Sequence, residues 1–515
     1  MLGRHRGPIT RPLTSQQTAY AVDLNLIKYF SDVGKVTSAN DSPAHTYLVA
    51  RAIQAFSYRR SAVNGRRFGG GSTFAGAEIE LDNTDGALNS LVNDYAIDGR
   101  ELTVKVGHID WRYTDMFPLF DGTAFSWRFG GDEKVFINPA SNAASLTRKQ
   151  YQTTKYAGTG GAEGGDDLKG KPKPKGWGGP HYNVPPPLLN SDNVYQLRDG
   201  AIVSVSNVYD RGVALPLDTA IGTNGDFATY AALVAATIAA GKYATCIALG
   251  YIRTASQAVG QLTCTFTSTS ANKIGEIVKQ IVLNHGGYVA ADLDSNAFTA
   301  LDTSHSDGVE LWIGTEERTV ADVLDEILSW IEGYWGDNRL GGFTVGAVTI
   351  PSGGYVDRWT DGELVSLEKI EMPIDVRPAV KRVTVNYQKN YFLQTTDLDA
   401  AITAANKQFI QQNFRSVTSL NSLVADVYLL ATEIEVDTGF VTSTGATEQR
   451  TRLKTLYEGD YGLWRAKTGH RGFQRDIGDV VQINSTRRSI VDRSFRIVEV
   501  GIDAAAYEAE FVLIG

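Results

Sequence analysis

Short runs in which apolar and polar residues alternate stand near both ends of this 515-residue chain, and they constrain its fold most strongly. Near the amino end, Ile79 and Leu81 alternate with glutamates, and a second alternating run spans residues 102–106. Such alternation places one face of a strand on a core and the other in water. Turn-forming residues such as Asp98-Gly99 separate the runs, as in an antiparallel sheet. Comparable runs return at residues 480–483, 495–502 and 507–513. Both ends of the chain are therefore predicted to be β-rich.

The middle of the chain has helical periodicity instead. Apolar residues recur at helical spacing over residues 274–282, and again from Val320 to Ile331. Thr319 is predicted to cap the second of these helices, with Asp322 at the capping-box position. Further helices are predicted over about 397–414 and 446–457. The fold class that follows is α+β and β-rich, with β regions flanking a mixed α/β middle region.

A segment rich in glycine, proline, lysine and aspartate begins at Lys155 and runs to about Pro187. It has few apolar residues to bury, which predicts that it does not fold on its own. Within it, four lysines alternate with glycine and proline, and the prolines keep this stretch extended. We favour a docking strip against a neighbouring subunit; a solvated loop and a DNA contact are the other interpretations. The interaction residues that this pattern predicts are Lys169, Lys171, Lys173, Lys175 and Trp177.

The sequence offers little support for catalysis or for a metal site. The glycine-rich run lacks the lysine and hydroxyl residue of a phosphate-binding loop. Each pair of neighbouring carboxylates has a local explanation, on the wet face of a strand, in a turn, or opposite the apolar stripe of a helix. The histidines and the two cysteines show no zinc-ligand spacing. No enzyme activity, catalytic residue, metal or cofactor is predicted.

The cysteines and the net charge leave alternatives open. Cys246 and Cys264 could form a cross-strand disulfide or be two buried free thiols, and we favour the thiols. The formal net charge of −9 is unusual for a protein that holds duplex DNA through its phosphates. Residues 1–15 contain arginines but no apolar core of a secretory signal, and no window is apolar enough for a membrane helix. We therefore expect synthesis in the cytoplasm.

Four blocks of this sequence resemble the tail-hub (baseplate hub) proteins of long-tailed bacteriophages and of gene transfer agents. Residues 76–107, with GAEIELDNTDGAL and YAIDGRELTVKVG, resemble the first barrel of that family. The segment 155–216, with its DLKGKPKPK stretch, resembles a second block, and residues 319–346 resemble the central helix–strand unit. Residues 473–503, with FQRDIGDVVQI and SFRIVEVGID, resemble the closing barrel. The resemblance covers roughly residues 45–515.

The resemblance implies two tail-tube-like antiparallel β-barrels on either side of the mixed α/β region. Combined with the residue patterns, it predicts five parts along the chain. They are an N-terminal extension (1–45), a first β-barrel (46–155), a Gly/Pro/Lys-rich loop (156–190), a mixed α/β middle domain (191–372) and a second β-barrel with helical insertions (373–515).

The function that the resemblance implies is structural. Such a chain forms the central hub of a phage or phage-like tail tip, as a homotrimeric ring that takes part in host attachment and passes DNA during ejection. Its implied partners are its own copies, a distal tail protein, the tape-measure protein and tail fibre or tip proteins. The implied location is the virion tail tip, after assembly in the host cytoplasm. The alternative is a carbohydrate-active or carbohydrate-binding β protein of the tail tip, because aromatic residues are abundant near predicted turns.

Overall fold

The computed structural model describes residues 2–4, 9–10, 21–22, 26–53, 56–63, 66–131, 133–459 and 461–515. The prediction that residues 1–15 form no secretory signal falls largely outside these residues. Within the described part of the chain, every helix is too short or too polar to cross a membrane.

The amino-terminal region is built of strands and one short helix. These elements are β1 (Leu2–Arg4), β2 (Ile9–Thr10), β3 (Ala21–Val22), β4 (Ile27–Ser31), β5 (Lys35–Val36), β6 (Tyr47–Ala50), β7 (Ser57–Val63), β8 (Phe68–Gly76), β9 (Ile79–Asp82), α1 (Asn89–Asp94), β10 (Arg100–Val106), β11 (Phe117–Phe129) and β12 (Lys134–Ala140). Eight of the described strands form the first large sheet, in the order β5-β6-β4-β1-β10-β11-β12-β9. Strands β2 and β3 pair only with each other among the described strands.

The middle region alternates small sheets with helices. Its elements are β13 (Lys175–Gly178), β14 (His181–Val184), β15 (Val194–Gln196), β16 (Ser204–Asp210), β17 (Val213–Leu215), α2 (Tyr230–Ala235), β18 (Tyr243–Cys246), β19 (Tyr251–Thr254), β20 (Leu262–Thr267), α3 (Ile274–Ile281), α4 (Ser295–Ser304), β21 (Glu310–Ile313), α5 (Val320–Ser329), β22 (Gly333–Asp337) and β23 (Phe343–Ala347). Its small sheets have the orders β13-β21, β14-β20-β16-β17 and β15-β19-β18. The buried faces of α3 and α5 pack into one core with β21 and β23.

The carboxy-terminal region returns to long strands. Its elements are β24 (Asp357–Thr360), β25 (Leu364–Ile370), β26 (Val380–Tyr387), α6 (Ala404–Ile410), β27 (Arg415–Leu420), α7 (Ser422–Val427), β28 (Thr432–Asp437), α8 (Ser443–Tyr457), β29 (Leu463–Gly469), β30 (Val480–Ser485), β31 (Ile490–Asp503) and β32 (Glu508–Ile514). Ten of the described strands form the second large sheet, along the path β23-β22-β8-β7-β31-β32-β29-β25, with β30 on β31 and β24 on β30. Strands β27, β26 and β28 form a separate sheet.

The two large sheets share one hydrophobic core. That core contains Ile79 and Leu102 from the first sheet together with Phe495 and Phe511 from the second. Strands β7 and β8 follow the first sheet's β6 in sequence but pair within the second, where β7 lies antiparallel to β31. Burial of this common apolar surface, at about 25 cal/mol per Å², holds the two ends of the chain together as one unit.

Several local predictions are confirmed. Ile79 and Leu81 are buried, and the glutamates between and beside them are not. Helix α5 begins after Thr319, whose hydroxyl accepts from the Asp322 backbone N–H while the Asp322 carboxylate accepts from the Thr319 N–H. The β-rich α+β class is confirmed as well. Both cysteines are buried free thiols, and they lie in different sheets.

The predicted grouping of strands was wrong in part. Strands β1, β4 and β5 belong to the first sheet, whereas β2 and β3 pair with each other, so part of the predicted extension 1–45 contributes strands to that sheet. Strand β26 lies outside the sheet formed by residues 480–514, although both were assigned to one barrel. Alternation identifies a half-buried strand but contains no information about which sheet it joins. The strand order of each large sheet is an open path among the described strands, so the predicted barrels are not confirmed.

One predicted helix is much shorter than expected. The apolar spacing over 397–414 predicted a long helix, but only Ala404–Ile410 is helical. Asp397 has φ +54°, in the left-handed region, which a right-handed helix cannot include. The Asp399 carboxylate accepts from the Ala401 N–H and pairs with Arg211 at 2.8 Å. These contacts hold the residues before α6 in a non-helical loop.

Candidate functional site: the lysine–tryptophan segment

The predicted docking strip is one arm of a folded two-armed segment. Its backbone runs antiparallel to the residues around Tyr156, whose N–H donates to the Lys171 carbonyl at 3.0 Å. The Tyr156 carbonyl accepts from the Gly170 N–H at 2.9 Å, and the Lys173 N–H donates to the Thr154 carbonyl at 2.9 Å. The strip then continues into strand β13, which pairs with β21. These bonds give the segment a fixed conformation within a single chain.

A few apolar residues anchor this segment. Tyr156 and Leu168 are buried in a core with strands β15, β18 and β19. Gly164 makes the turn between the arms at φ +68°, where a Cβ would lie 2.8 Å from a Leu168 methyl carbon. Contacts with other strands of the chain order the segment, and the prediction that it does not fold on its own stays a prediction. Its composition did not indicate that two buried side chains and a set of backbone hydrogen bonds would anchor it.

Two of the four lysines contribute to this internal packing. The Lys173 side chain is almost fully buried, and its ammonium lies 2.7 Å from the Glu163 carboxylate and 5.4 Å from the centre of the Tyr156 ring. The hydrogen bond from Lys173 lowers the pKa of Glu163. Lys175 is half-buried with its ammonium 4.0 Å from the Asp199 carboxylate, and burial lowers the pKa of Lys175. The acidic neighbours of both lysines therefore lie in the same chain.

Trp177 is also buried by its own chain. Its side chain is 7% exposed and belongs to the core around α3 and α5. The indole N–H donates to the Tyr151 hydroxyl at 2.7 Å, and the Arg198 guanidinium lies 5.7 Å from the ring centre. Trp177 was predicted as an interaction residue, but strand β13 carries its ring into the chain's own interior.

The structure thus divides the five predicted interaction residues into two groups. Lys173, Lys175 and Trp177 are structural within the chain. Lys169 and Lys171, on either side of Gly170, are exposed. A docking role stays a prediction, and these two lysines are the ones that a partner can reach.

A buried polar network beside this segment was not found from the sequence. His181 Nδ1 lies 2.5 Å from Glu310 Oε2, and His181 Nε2 lies 2.8 Å from Ser268 Oγ. The Tyr391 hydroxyl donates to the same Glu310 oxygen at 2.8 Å. The hydrogen-bonded pairs of this network are 81 to 129 positions apart in the chain, so no local motif could have revealed them.

The connectivity of this network is that of an acid–histidine–serine triad, but its position is not that of an active site. The side chains of His181 and Glu310 have no exposed surface, and Ser268 is 2% exposed. A substrate carbonyl cannot reach the Ser268 hydroxyl without unpacking β14 and β20. The network joins β14 and β21 to the segment that follows β26, and its effect is to hold these elements together.

The carboxylates that were considered as catalytic pairs have basic or local partners. The ion pairs are Glu78–Arg128, Glu80–Lys134, Asp85–Arg51 and Asp476–Arg60. These contacts agree with the local explanations given from the sequence. Among the residues that the structure describes, no three histidine, cysteine, aspartate or glutamate side chains are grouped so that they could hold a metal ion.

Comparisons with solved structures find likenesses over most of the chain. A tail protein from Neisseria meningitidis MC58 is 10% identical, with 89% of this chain and 91% of that chain covered and a TM-score of 0.40. The 43 kDa tail protein of prophage MuSo2 from Shewanella oneidensis is 8% identical, with 89% and 94% covered and a TM-score of 0.38. A chain of a native gene transfer agent virion is 11% identical, with 67% and 84% covered and a TM-score of 0.42.

These three structures come from the same classes of particle, tails and gene transfer agents, that the sequence resemblance named. No protein-family model matches the chain, and a search of curated proteins finds no relative.

Proposed function

We propose that this chain is the structural central hub of a phage or phage-like tail tip. In this role three copies form a ring that joins the tail tube to tip proteins and fibres. The ring holds the end of the tape-measure protein and passes DNA during ejection. The protein is assembled in the host cytoplasm and resides at the virion tail tip.

One observation carries the proposal beyond the sequence resemblance: the β regions from opposite ends of the chain share a single core. A ring with two β units per chain and three chains has six units around its axis, which suits stacking on a sixfold tube. In such a ring, the two β units of each chain must keep a fixed position and orientation relative to each other. The shared core and the crossing of β7 into the second sheet supply that rigidity.

Contacts beyond the strand path support a barrel-like first unit. Ala52 and Leu81 form an antiparallel bridge between the residues after β6 and strand β9. The Ile53 N–H donates to the Glu80 carbonyl at 3.0 Å, and the Asp82 N–H donates to the Arg51 carbonyl at 2.7 Å. These bonds connect the far end of the first sheet back to β6, as a closed barrel requires.

The rest of the proposal concerns partners and chemistry. Lys169 and Lys171 are the residues that we propose for contact with a neighbouring subunit or a distal tail protein. The net charge of −9 favours a channel that DNA traverses over one that grips its phosphates. We propose no catalytic role, since the triad-like network is buried and the carboxylates considered above are locally paired.

Sedimentation velocity of the purified full chain tests the proposal. We expect a species with three times the mass of one chain, and no turnover of polysaccharide or peptidoglycan. A chain that stays monomeric up to high micromolar concentrations would contradict the hub role. Polysaccharide turnover that a single Asp→Asn or Glu→Gln substitution abolishes would instead favour the carbohydrate-active alternative.

A further inference from the structure

A groove with a volume of about 990 Å³ is lined by residues from both ends of the chain, and it is here called the aromatic groove. The loop between β10 and β11 contributes Trp111, and β11 begins at the lining residue Phe117. The carboxy-terminal region contributes Tyr507, from the turn between β31 and β32, and residues within 356–365 and 468–475. Sites for small molecules typically have volumes of about 300–1,000 Å³, so the groove is large enough for a ligand of several rings.

Three aromatic side chains of the groove are exposed instead of being packed in a core. Trp111, Phe117 and Tyr507 are 42%, 40% and 64% exposed. The rings of Trp111 and Phe117 meet edge to face, with centroids 5.6 Å apart. The backbone carbonyl groups of Ile109 and Trp111 both accept hydrogen bonds from the Lys35 ammonium, which holds the loop that carries Trp111. The rings of Trp111 and Phe117 are therefore held in place without a ligand.

A row of three charged side chains also lines the groove, here called the polar row. The Arg471 guanidinium pairs with the Asp357 carboxylate at 2.6 Å and with the Glu363 carboxylate, both of its own chain. The Trp359 indole N–H donates to Asp357 at 3.1 Å. The Thr360 N–H and hydroxyl donate to Glu363 at 2.9 and 3.1 Å. Because each carboxylate has a second partner, the geometry of the polar row is fixed before a ligand binds, and little ordering entropy is lost on binding.

The polar row keeps hydrogen-bonding capacity for a ligand. A guanidinium has five N–H donors, and the two carboxylates accept from two of those of Arg471. The side chains of Arg471 and Glu363 are 55% and 33% exposed, so a ligand can reach both. A hydroxyl group donates one hydrogen bond and accepts others. It can therefore bond to a Glu363 oxygen and to a further Arg471 N–H without breaking their ion pair.

The charges of the groove favour a neutral ligand. Apart from two histidines, its titratable lining residues that carry charge are Arg471 and Arg475 against Asp357 and Glu363, which balance. A site for phosphate or for an acidic polymer has an excess of cations instead. An apolar peptide would cover the polar row with groups that cannot hydrogen-bond to it, at a desolvation cost that hydroxyl groups do not incur. A sugar ring meets both requirements, since it offers C–H groups to aromatic rings and hydroxyls to planar polar side chains.

We propose that the aromatic groove binds a neutral oligosaccharide. The exposed rings of Trp111, Phe117 and Tyr507 contact the C–H groups of the sugar, and the polar row binds its hydroxyls. This inference goes beyond the hub role, because it gives the chain a direct glycan contact and does not depend on how many copies form the ring. It also differs from the carbohydrate-active alternative, since it requires binding without turnover.

A glycan array that carries neutral and acidic oligosaccharides, probed with the labelled full chain, tests the class of ligand. We expect retention on neutral oligosaccharides, and saturable binding of a retained glycan in isothermal titration calorimetry. An array without any retained neutral glycan, or one on which only acidic glycans are retained, would overturn the inference. A monomeric chain that binds a neutral glycan contradicts the hub proposal alone, whereas a trimeric chain that binds none contradicts this inference alone.

Matched variants test whether the retained glycan lies in the groove. Trp111→Ala should raise its dissociation constant by about tenfold or more, because one aromatic contact is lost. Phe125→Ala, at an aromatic side chain that is 49% exposed and does not line the groove, is the control and should leave the constant unchanged. Trp111→Phe keeps an aromatic ring and should bind within about threefold of the wild type. Equal affinities of Trp111→Ala and the wild type would show that the glycan binds elsewhere, which overturns the inference.

Discussion

Replacing Trp177 by alanine should destabilise the isolated chain, because its own interior buries this residue. The side chain is 7% exposed, and its indole N–H is the donor to the fully buried Tyr151 hydroxyl. Trp177→Ala removes the ring and leaves that hydroxyl without its donor. If the segment were a strip that only a partner orders, the same substitution would leave the isolated chain unaffected.

The magnitude follows from burial and from the hydrogen bond. Truncating a buried tryptophan to alanine destabilises a protein by about 3–5 kcal/mol. Trp177→Phe keeps most of the apolar volume and loses mainly the N–H, which corresponds to about 1–2 kcal/mol. The exposed pair Lys169→Ser with Lys171→Ser should change the free energy of unfolding by less than about 0.5 kcal/mol.

Differential scanning calorimetry and hydrogen exchange measure these effects. The chain has several hydrophobic cores, so the midpoint of the first unfolding transition is the appropriate quantity rather than a single two-state free energy. At about 2–4 °C per kcal/mol, Trp177→Ala should lower that midpoint by roughly 10 °C. Trp177→Phe should lower it by about 4 °C, and the double lysine variant by less than about 2 °C.

Hydrogen exchange in peptides covering residues 150–180 provides the local test. In the isolated wild-type chain these amides should be protected, and Trp177→Ala should remove the protection. Rapid exchange of this segment in the wild-type chain, together with an unchanged midpoint for Trp177→Ala, would refute the assignment of Trp177 to the chain's own core.

Three further predictions concern the same middle region. His181→Phe leaves the buried Glu310 carboxylate without its histidine partner and should destabilise the chain by about 3 kcal/mol. The midpoint of the first calorimetric transition measures this effect. An unchanged midpoint would show that the network is dispensable for stability. Burial lowers the pKa of His305 to about 3, so the unfolded chain binds its proton first as pH falls below about 6.5. The free energy of unfolding should therefore fall by about 2 kcal/mol between pH 7 and 4.5 because of His305. The melting temperature of His305→Gln should fall less steeply with decreasing pH than that of the wild type. Equal slopes for the two proteins would contradict this prediction. Gly178→Ala should destabilise the chain by about 3 kcal/mol or more, because φ is +66° and a Cβ would lie 2.0 Å from a backbone carbonyl oxygen. Gly170→Ala, at φ +78° in open space, should destabilise it by about 1 kcal/mol. Equal melting temperatures of the two variants would contradict the predicted difference.

Local structure was largely predictable from the sequence, because it depends on neighbouring residues. The capping box at Thr319 and Asp322 and the inward face of β9 followed from spacing alone. The length of the helix after β26 was not predictable from apolar spacing. Asp397 adopts a left-handed conformation, and Asp399 is held by Arg211, which lies far away in sequence.

The assignment of strands to sheets was less predictable. Alternation marks a strand but not its partner, so β7 was assigned to the first unit although it pairs with β31. The candidate site shows the same limit. Lysines with glycines and prolines suggest a solvated segment, and burial of Lys173 depends on Glu163 and Tyr156, which face it only in the folded chain.

Electron microscopy of the purified full chain tests the central claim most directly. Class averages of negatively stained particles should show a ring of three copies with six β units around an open central channel. Wild-type particles that are compact single subunits, or assemblies without a central channel, would contradict the proposal that this chain is a tail-tip hub.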